Sequence, residues 1–524
     1  MHPRFTILAV AVLLILPIWA RADEQLAKRI DARVQAKAKG KAISPRADDA
    51  EFLRRVYLDF AGRIPSATET RGFLADKTSD KRARLIDRLL ASPEYAVRMR
   101  ELFNVMLMER LGEHPDWLNF LQTSFEKNTP WDQMAREMLG GSPSGGVFFL
   151  SKRLENYGQN PVDYPALTRD VGRLFLGKDL RCAQCHDHLT VKDYHQSDFQ
   201  GLYAFVRNVA LKPGKTPAVL EKPTTMKVEF ASVFTGEKGL TGPRLPGRKE
   251  IDIPTFKKGE EFSQKPNPKT KTPGVLKFST LKTLAQQVAA ADNDAFNRNI
   301  VNRLWFVVMG RGLVHPLDLQ HSANPPSHPE VLDLLAKEFV ARKYDIKAML
   351  RTLALTETYQ RSSKLPTGEK QIAASEFRTA LEKRLEPEQL LRAMLEATGE
   401  KNVKGGTPFA TARPIFLKAF AYGPREPEEE FAPTLKGALF VLNDQSVLSW
   451  LTVKPGNLLE RVGKMTDDRK VVDELYLSIL SRSPNAEETE QATRFLTERK
   501  ARRAPALRNL AWALLASTEF CVNH

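Results

Sequence analysis

Apolar residues recur every three to four positions along most of this chain, and that period decides the fold class. Phe52, Val56 and Phe60 fall four apart; Leu85, Leu89 and Leu90 share a face, as do Leu102, Val105 and Met106. A stripe of this kind is buried when a helix packs against other elements. Ser92-Pro93-Glu94 reads as an N-cap followed by proline at the first helical position. A helix over about 164–176, carrying Leu167, Val171, Leu174 and Phe175, is expected to stop at Gly177. The run Gly140-Gly141-Ser142-Pro143-Ser144-Gly145-Gly146 breaks the pattern into a loop. From about residue 280 the period returns. Ser327 and Glu330 are spaced as a capping box ahead of Val331, Leu334, Leu335 and Phe339. Helices are expected over 346–359 and 387–398, then a loop rich in Gly, Pro and Glu over about 399–432, then helix again to the end.

The stretch from about 211 to 275 differs in composition, being rich in Lys, Pro, Gly and Thr. Val228–Val233 alternates apolar and polar residues, and Ile251-Asp252-Ile253 does so briefly, so both are read as strand. The expected architecture is mainly α: a multi-helical two-domain protein with a small β-rich insertion. Its parts are a leader over 1–22, a helical domain over 23–210, the insertion or long loop over 211–275, and a second helical domain over 276–524.

His2 and Arg4 precede an apolar run from Phe5 to Ile18, and Ala20-Arg21-Ala22 has the small-x-small form of a cleavage site. The run is shorter than the roughly 20 apolar residues that span a bilayer. The expectation is a cleaved signal peptide, a mature chain starting near Asp23, a periplasmic or secreted location and no remaining transmembrane anchor. Removing Arg4 and Arg21 leaves 77 basic against 63 acidic residues, a net charge of +14. That balance suits acidic partners, an anionic glycan among them. The basic residues are interleaved with acids and show no aromatic-plus-basic pattern, so no nucleic-acid partner is expected. Three cysteines exclude a disulfide-rich scaffold.

The two ends of the chain echo each other. Tyr57-Leu58, Arg63-x-Pro65-x-Ala67, Glu69-Thr70, Phe73-Leu74 and Leu89–Tyr95 are matched by Tyr476-Leu477, Arg482-x-Pro484-x-Ala486, Glu488-Thr489, Phe495-Leu496 and Leu514–Phe520. A weaker echo lies at Leu353–Tyr359. The pattern is a recurring helix, arginine-proline turn and two further helices, read as a reused packing module.

The motif that carries chemistry is Cys182-Ala183-Gln184-Cys185-His186. In the C-x-x-C-H form, two thiols bond to the vinyl groups of haem and the histidine ligates its iron. Spacing at i, i+3 and i+4 is expected to place all three on one helical face. Met226, His188 and His195 are the nearby candidates for a sixth ligand. Other chemistries stay open. Cys182 and Cys185 with two of His186, His188 and His195 suit zinc. The same thiols could form a disulfide or redox pair. Asp187, Asp193 and Asp198 could orient imidazoles, and Tyr194, Phe199, Tyr203 and Phe205 could wall a pocket. His315, His321 and His328 form a weaker cluster, read as surface or capping residues, and Glu426 with Glu428–Glu430 an acidic run read as a solvated loop. No Walker loop, nucleophile elbow, H-E-x-x-H or dinucleotide fingerprint occurs.

With those landmarks the chain resembles the planctomycete cytochrome-C-like domain of unknown function, followed by the planctomycete-specific C-terminal domain of unknown function. The first resemblance rests on Arg54–Asp59, Leu89–Tyr95, Asp170–Gly177 and Cys182–His188. The second rests on Asn302–Trp305, Gly310–Val314, Pro325–Glu330, Tyr359–Ser363 and the final Phe520-x-x-Asn523-His524. Where the family continues from the histidines into Pro-Phe, this chain has Leu189-Thr190. The resemblance implies an exported protein whose cytochrome label rests mainly on this one motif; the motif itself points to haem c, or alternatively zinc, at Cys182, Cys185 and His186. The expected function is electron transfer with a redox or other extracytoplasmic protein partner. A non-catalytic scaffold with a structural Cys/His site is the alternative, and a hydrolase acting on anionic polysaccharide is a third.

Overall fold

The computed structural model describes residues 18–155, 162–400 except 213, 215, 225 and 271, then 407–426, 440 and 443–524. Most of the expected leader and Glu428–Glu430 lie outside these residues. The fold is mainly α, and the only sheets among the described residues are small two-stranded ones. No described helix is long and apolar enough to cross a membrane.

Local signals explain most helix ends. Ser92 caps Pro93–Met108, its hydroxyl accepting from Tyr95 N. The helix Tyr164–Leu176 begins on Asp163 and ends at Gly177, whose left-handed φ of 65° suits glycine. The helix near 330 departs from expectation. It spans Pro329–Ala341, with His328 rather than Ser327 at the cap position and no side-chain cap; the Ser327 N–H is spent on Leu313 O instead. The expected helix over 346–359 is two, Ile346–Leu355 and Glu357–Gln360, because Thr356 caps the second. The loop expected over 399–432 contains a helix, Pro408–Phe420, started by Thr407 and tolerating Pro414 inside. In the insertion, Val228–Ala231 pairs antiparallel with Lys238–Thr241. Ile251–Ile253 forms no strand; Ile251 N donates to Pro243 O across an irregular loop.

Two apolar cores hold the fold. One runs from Leu26 to Phe377 and takes in helices on both sides of the insertion. The other gathers residues from Leu385 to Phe520 together with Leu58 and Ile64 from near the start. The terminal echo is visible as geometry. Arg63 bridges Glu69 and Glu94 at 2.8 and 2.7 Å and lies 5.2 Å over the Tyr57 ring. Arg482 bridges Glu488 and Glu519 at 2.7 and 2.6 Å and lies 5.4 Å over the Tyr476 ring. The weaker echo joins them at one corner. Ser92, Thr356 and Ser517 each cap a helix and each donate to the carbonyl three residues back at 2.7 Å. Leu58 and Ile64 of the first unit pack into the second core, so the two copies are docked together.

The remaining family motifs are structural. Arg54 donates to Phe520 O and Arg55 to Arg361 O and His524 O, tying the helix Asp49–Ala61 to the chain's end. Asp59 collects Tyr359 Oη, Lys383 Nζ and Asn523 Nδ2 within 2.8 Å. Asn302 braces the Val314 backbone from both sides. Each side chain answers a buried polar partner, as a dry interior requires.

Candidate functional site

The stretch after Gly177 is short and polar, and its turn is pinned from below. Leu180 and Ala183 are fully buried and anchor the segment to the first core. Gln200 Nε2 donates to Gln184 O at 3.0 Å, and Arg169 Nη1 donates to Gln184 Oε1 at 2.8 Å. Residues Cys182–Gln184 form one 3-10 turn, closed by Cys185 N on Cys182 O. The expected α-helical face for Cys182, Cys185 and His186 is therefore not the geometry found. A 3-10 turn eclipses positions i and i+3, so the two cysteines stand side by side while His186 follows beyond the turn. Both cysteines are exposed free thiols, in contrast to the burial usual for this residue type.

The three imidazoles differ in which nitrogen is available. His186 Nδ1 lies 2.7 Å from Asp187 O. A carbonyl can only accept, so Nδ1 carries the proton and Nε2 presents its lone pair. His188 is set the other way: its Nδ1 accepts from Val191 N at 3.0 Å and Thr190 N at 3.2 Å. Neutral His188 then carries its proton on Nε2 and has no lone pair left for a metal. His195 Nδ1 lies 3.6 Å from Asp187 Oδ2, and both side chains are more than half exposed. Among the described residues, no three His, Cys, Asp or Glu side chains converge into a metal-holding group.

The other candidates resolve individually. Asp187 faces His195 and also accepts from Gln196 N at 2.7 Å, capping the helix Gln196–Val206. Asp193 accepts from the Ser322 N–H and hydroxyl, which hold its carboxyl below the usual range, and Asp198 pairs with Arg244. Tyr194, Phe199 and Phe205 are core residues, with Tyr203 packed against the same core. His328 is buried against Phe377 at 5.5 Å, and burial lowers its pKa to about 4. His321 lies against Tyr194, and burial again lowers its pKa.

The turn has an apolar rim that the sequence reading did not assign. The tip of the hairpin from the insertion reaches it: Val233 N donates to Cys185 O at 3.0 Å, and the Phe234 ring lies 4.3 Å from the His186 ring. Leu189 is 76% exposed, and Val233 and Phe234 65% each. Large apolar side chains left in water beside two thiols form the surface a flat apolar macrocycle would cover. The residues present therefore fit a thioether-linked haem: paired exposed thiols, an imidazole with Nε2 free and its tautomer fixed by a backbone carbonyl, and apolar cover. Met226 is 68% exposed and has no defined relation to His186.

Behind the turn lies a buried charge network that sequence spacing did not reveal. Arg153 donates to Asp170 at 2.5 Å and Glu109 at 3.1 Å, Arg173 to Glu109 at 2.5 Å and Asp318 at 2.9 Å, and Arg303 to Asp318. Burial works to raise the Glu109 pKa, but hydrogen bonds and charge from Arg173 and Arg153 win and hold it at about 2. The network fixes the helix Tyr164–Leu176, which carries Arg169 to the turn.

No curated protein and no solved structure matches the chain. Two family models do. Residues 29–210 match PSCyt2, a protein of unknown function (DUF1549), and residues 281–430 match PSD1, a protein of unknown function (DUF1553). The first span holds Cys182–His188 and the second the Asn302–Trp305 and Tyr359–Ser363 motifs, so the chain carries one region similar to each of these two families, in that order.

Proposed function

We propose that this is an exported protein carrying haem c on Cys182 and Cys185, with His186 Nε2 as the iron ligand, and that it transfers electrons to an extracytoplasmic partner. One observation carries the reading. The motif residues Arg54, Arg55, Asp59, Asn302 and Tyr359 are buried and answer a structural partner, whereas the two cysteines are exposed free thiols. Bound haem supplies one-electron chemistry. The chain's part is to hold the thiols side by side, fix the His186 tautomer through Asp187 O, and offer Leu189, Val233 and Phe234 as cover. Export is supported by Asp23, the first residue expected after cleavage. It is buried and receives Arg351 at 2.9 Å and also Arg342, so a cut after Ala22 leaves the first helix docked. The zinc reading is weaker because His188 spends its lone pair on backbone N–H groups.

The test is expression with residues 1–22 in a host that matures c-type cytochromes. The expected product has a Soret band that survives acid-acetone extraction and is lost in the Cys182→Ser/Cys185→Ser protein. A colourless product with stoichiometric zinc by elemental analysis would overturn haem in favour of the metal. A colourless, metal-free product would leave the scaffold.

A further inference from the structure

A cleft of about 640 Å³ opens beside the cysteine turn, lined by Arg169, Arg173, Asp179, Arg181, Tyr422 and Arg425, among others. Its floor is charge-balanced: Arg153, Arg173 and Arg303 are matched by Glu109, Asp170 and Asp318. Its rim is not. The Arg169 side chain donates to an uncharged amide, Gln184 Oε1. Arg181 reaches Asp179 at 3.7 Å and is otherwise exposed. The Arg425 guanidinium makes no hydrogen bond or ion pair with any described residue, and its Nε is buried without an acceptor. Arg425 is also held at a φ of 66°, a left-handed conformation that L residues rarely adopt and that clusters at functional sites. Among the described residues, three guanidiniums thus share one cleft with one carboxylate left over to answer them. A buried donor without a partner is costly, and the guanidinium fork matches a carboxylate in two parallel hydrogen bonds. The cleft abuts the cofactor turn, since Arg181 precedes Cys182 and Arg169 holds the glutamine between the two cysteines.

The geometry points to this cleft as a carboxylate-binding site, with Arg169, Arg181 and Arg425 as its donors. The carboxylate has two chemical sources: the propionates of a haem attached at Cys182 and Cys185, which rests on the function proposed above, or a free acidic ligand of the uronic-acid class, which does not.

The experiment compares the haem-loaded protein with the haem-free Cys182→Ser/Cys185→Ser protein, each with and without Arg169→Gln/Arg425→Gln, using digalacturonate as the calorimetric probe. If the carboxylate is a free ligand, both forms bind the probe, the double substitution weakens binding about tenfold or more, and the haem midpoint potential stays put. If the propionates fill the cleft, only the haem-free form binds the probe. In the loaded form the double substitution then lowers the midpoint potential and alters its pH dependence. Binding to neither form with an unmoved potential, or equal affinity in the substituted protein, overturns the site. Should haem fail to attach at all, the function proposed above falls while the probe arm still decides this inference. Arg425→Lys, which keeps the charge and loses the fork, serves if the double variant does not melt like wild type; an intermediate affinity is expected.

Discussion

Replacing Arg153 by methionine tests the account of the buried charge network. Arg153 is fully buried and donates to Asp170, to Glu109 and to the Leu107 carbonyl at 3.0 Å. Methionine fills much of the volume but leaves Arg173 and Arg303 facing Glu109, Asp170 and Asp318, with one carboxylate in excess. Breaking a buried pair from one side costs about 3–5 kcal/mol, because an uncompensated charge stays behind. The pH dependence carries a sign. Glu109, held at about 2 in the folded protein, contributes stability that is complete above its unfolded pKa and is lost as pH falls through the folded value. Without Arg153 the Glu109 pKa moves up, so that loss begins at higher pH. Urea titrations followed by far-UV circular dichroism between pH 3 and 7 measure both effects. Adding Glu109→Gln restores balance and is expected to recover part of the loss. An Arg153→Met protein within about 1 kcal/mol of wild type and with an unchanged acid limb would falsify the reasoning, as would a double variant weaker than the single one.

Other consequences follow from the same geometry. Arg63→Ala and Arg482→Ala are expected to cost similar amounts, about 1 kcal/mol each because their partners are part-exposed; melting curves that move for one and not the other would dismiss the equivalence of the two units. His328 stays neutral down to about 4 when folded but protonates near its ordinary value when unfolded. It therefore drains stability as pH falls through that window, and His328→Phe should flatten the dependence of melting temperature on pH between roughly 6.5 and 4. Gly177→Ala should cost about 1–3 kcal/mol, since φ is 65° and a Cβ would stand 2.5 Å from Gln320 Nε2; a thermal melt indistinguishable from wild type would show that the segment yields.

The periodic stripes made the helices legible because an amphipathic helix writes its buried face into the sequence. Ser92, Gly177 and the arginine-proline turns were readable for the same reason: each satisfies a local backbone need within four residues. Ser327 misled because its N–H found a partner, Leu313 O, that spacing cannot see. At the site, the cysteine pair was legible as a string, while its geometry was not. The five residues of the motif accommodate a 3-10 turn or an α turn, and the choice was set by Ala183 sinking into the core and by glutamines reaching from a helix a dozen residues on. The difference between His186 and His188 was invisible because it rests on which backbone group each ring meets. Arg169 and Arg425 lie more than 250 residues apart, and only folding makes them neighbours of one cleft.

The larger core closes only when helices near Leu26 meet segments as distant as Phe377. Assembly by such far-flung meetings is slow, since the loop entropy must be spent before the contacts reward it. A nascent polypeptide of this kind waits with its greasy stripes uncovered until more than three hundred residues are free to search. Shielding those stripes until the distant segments arrive is accordingly the first demand that this topology makes on a newly made molecule.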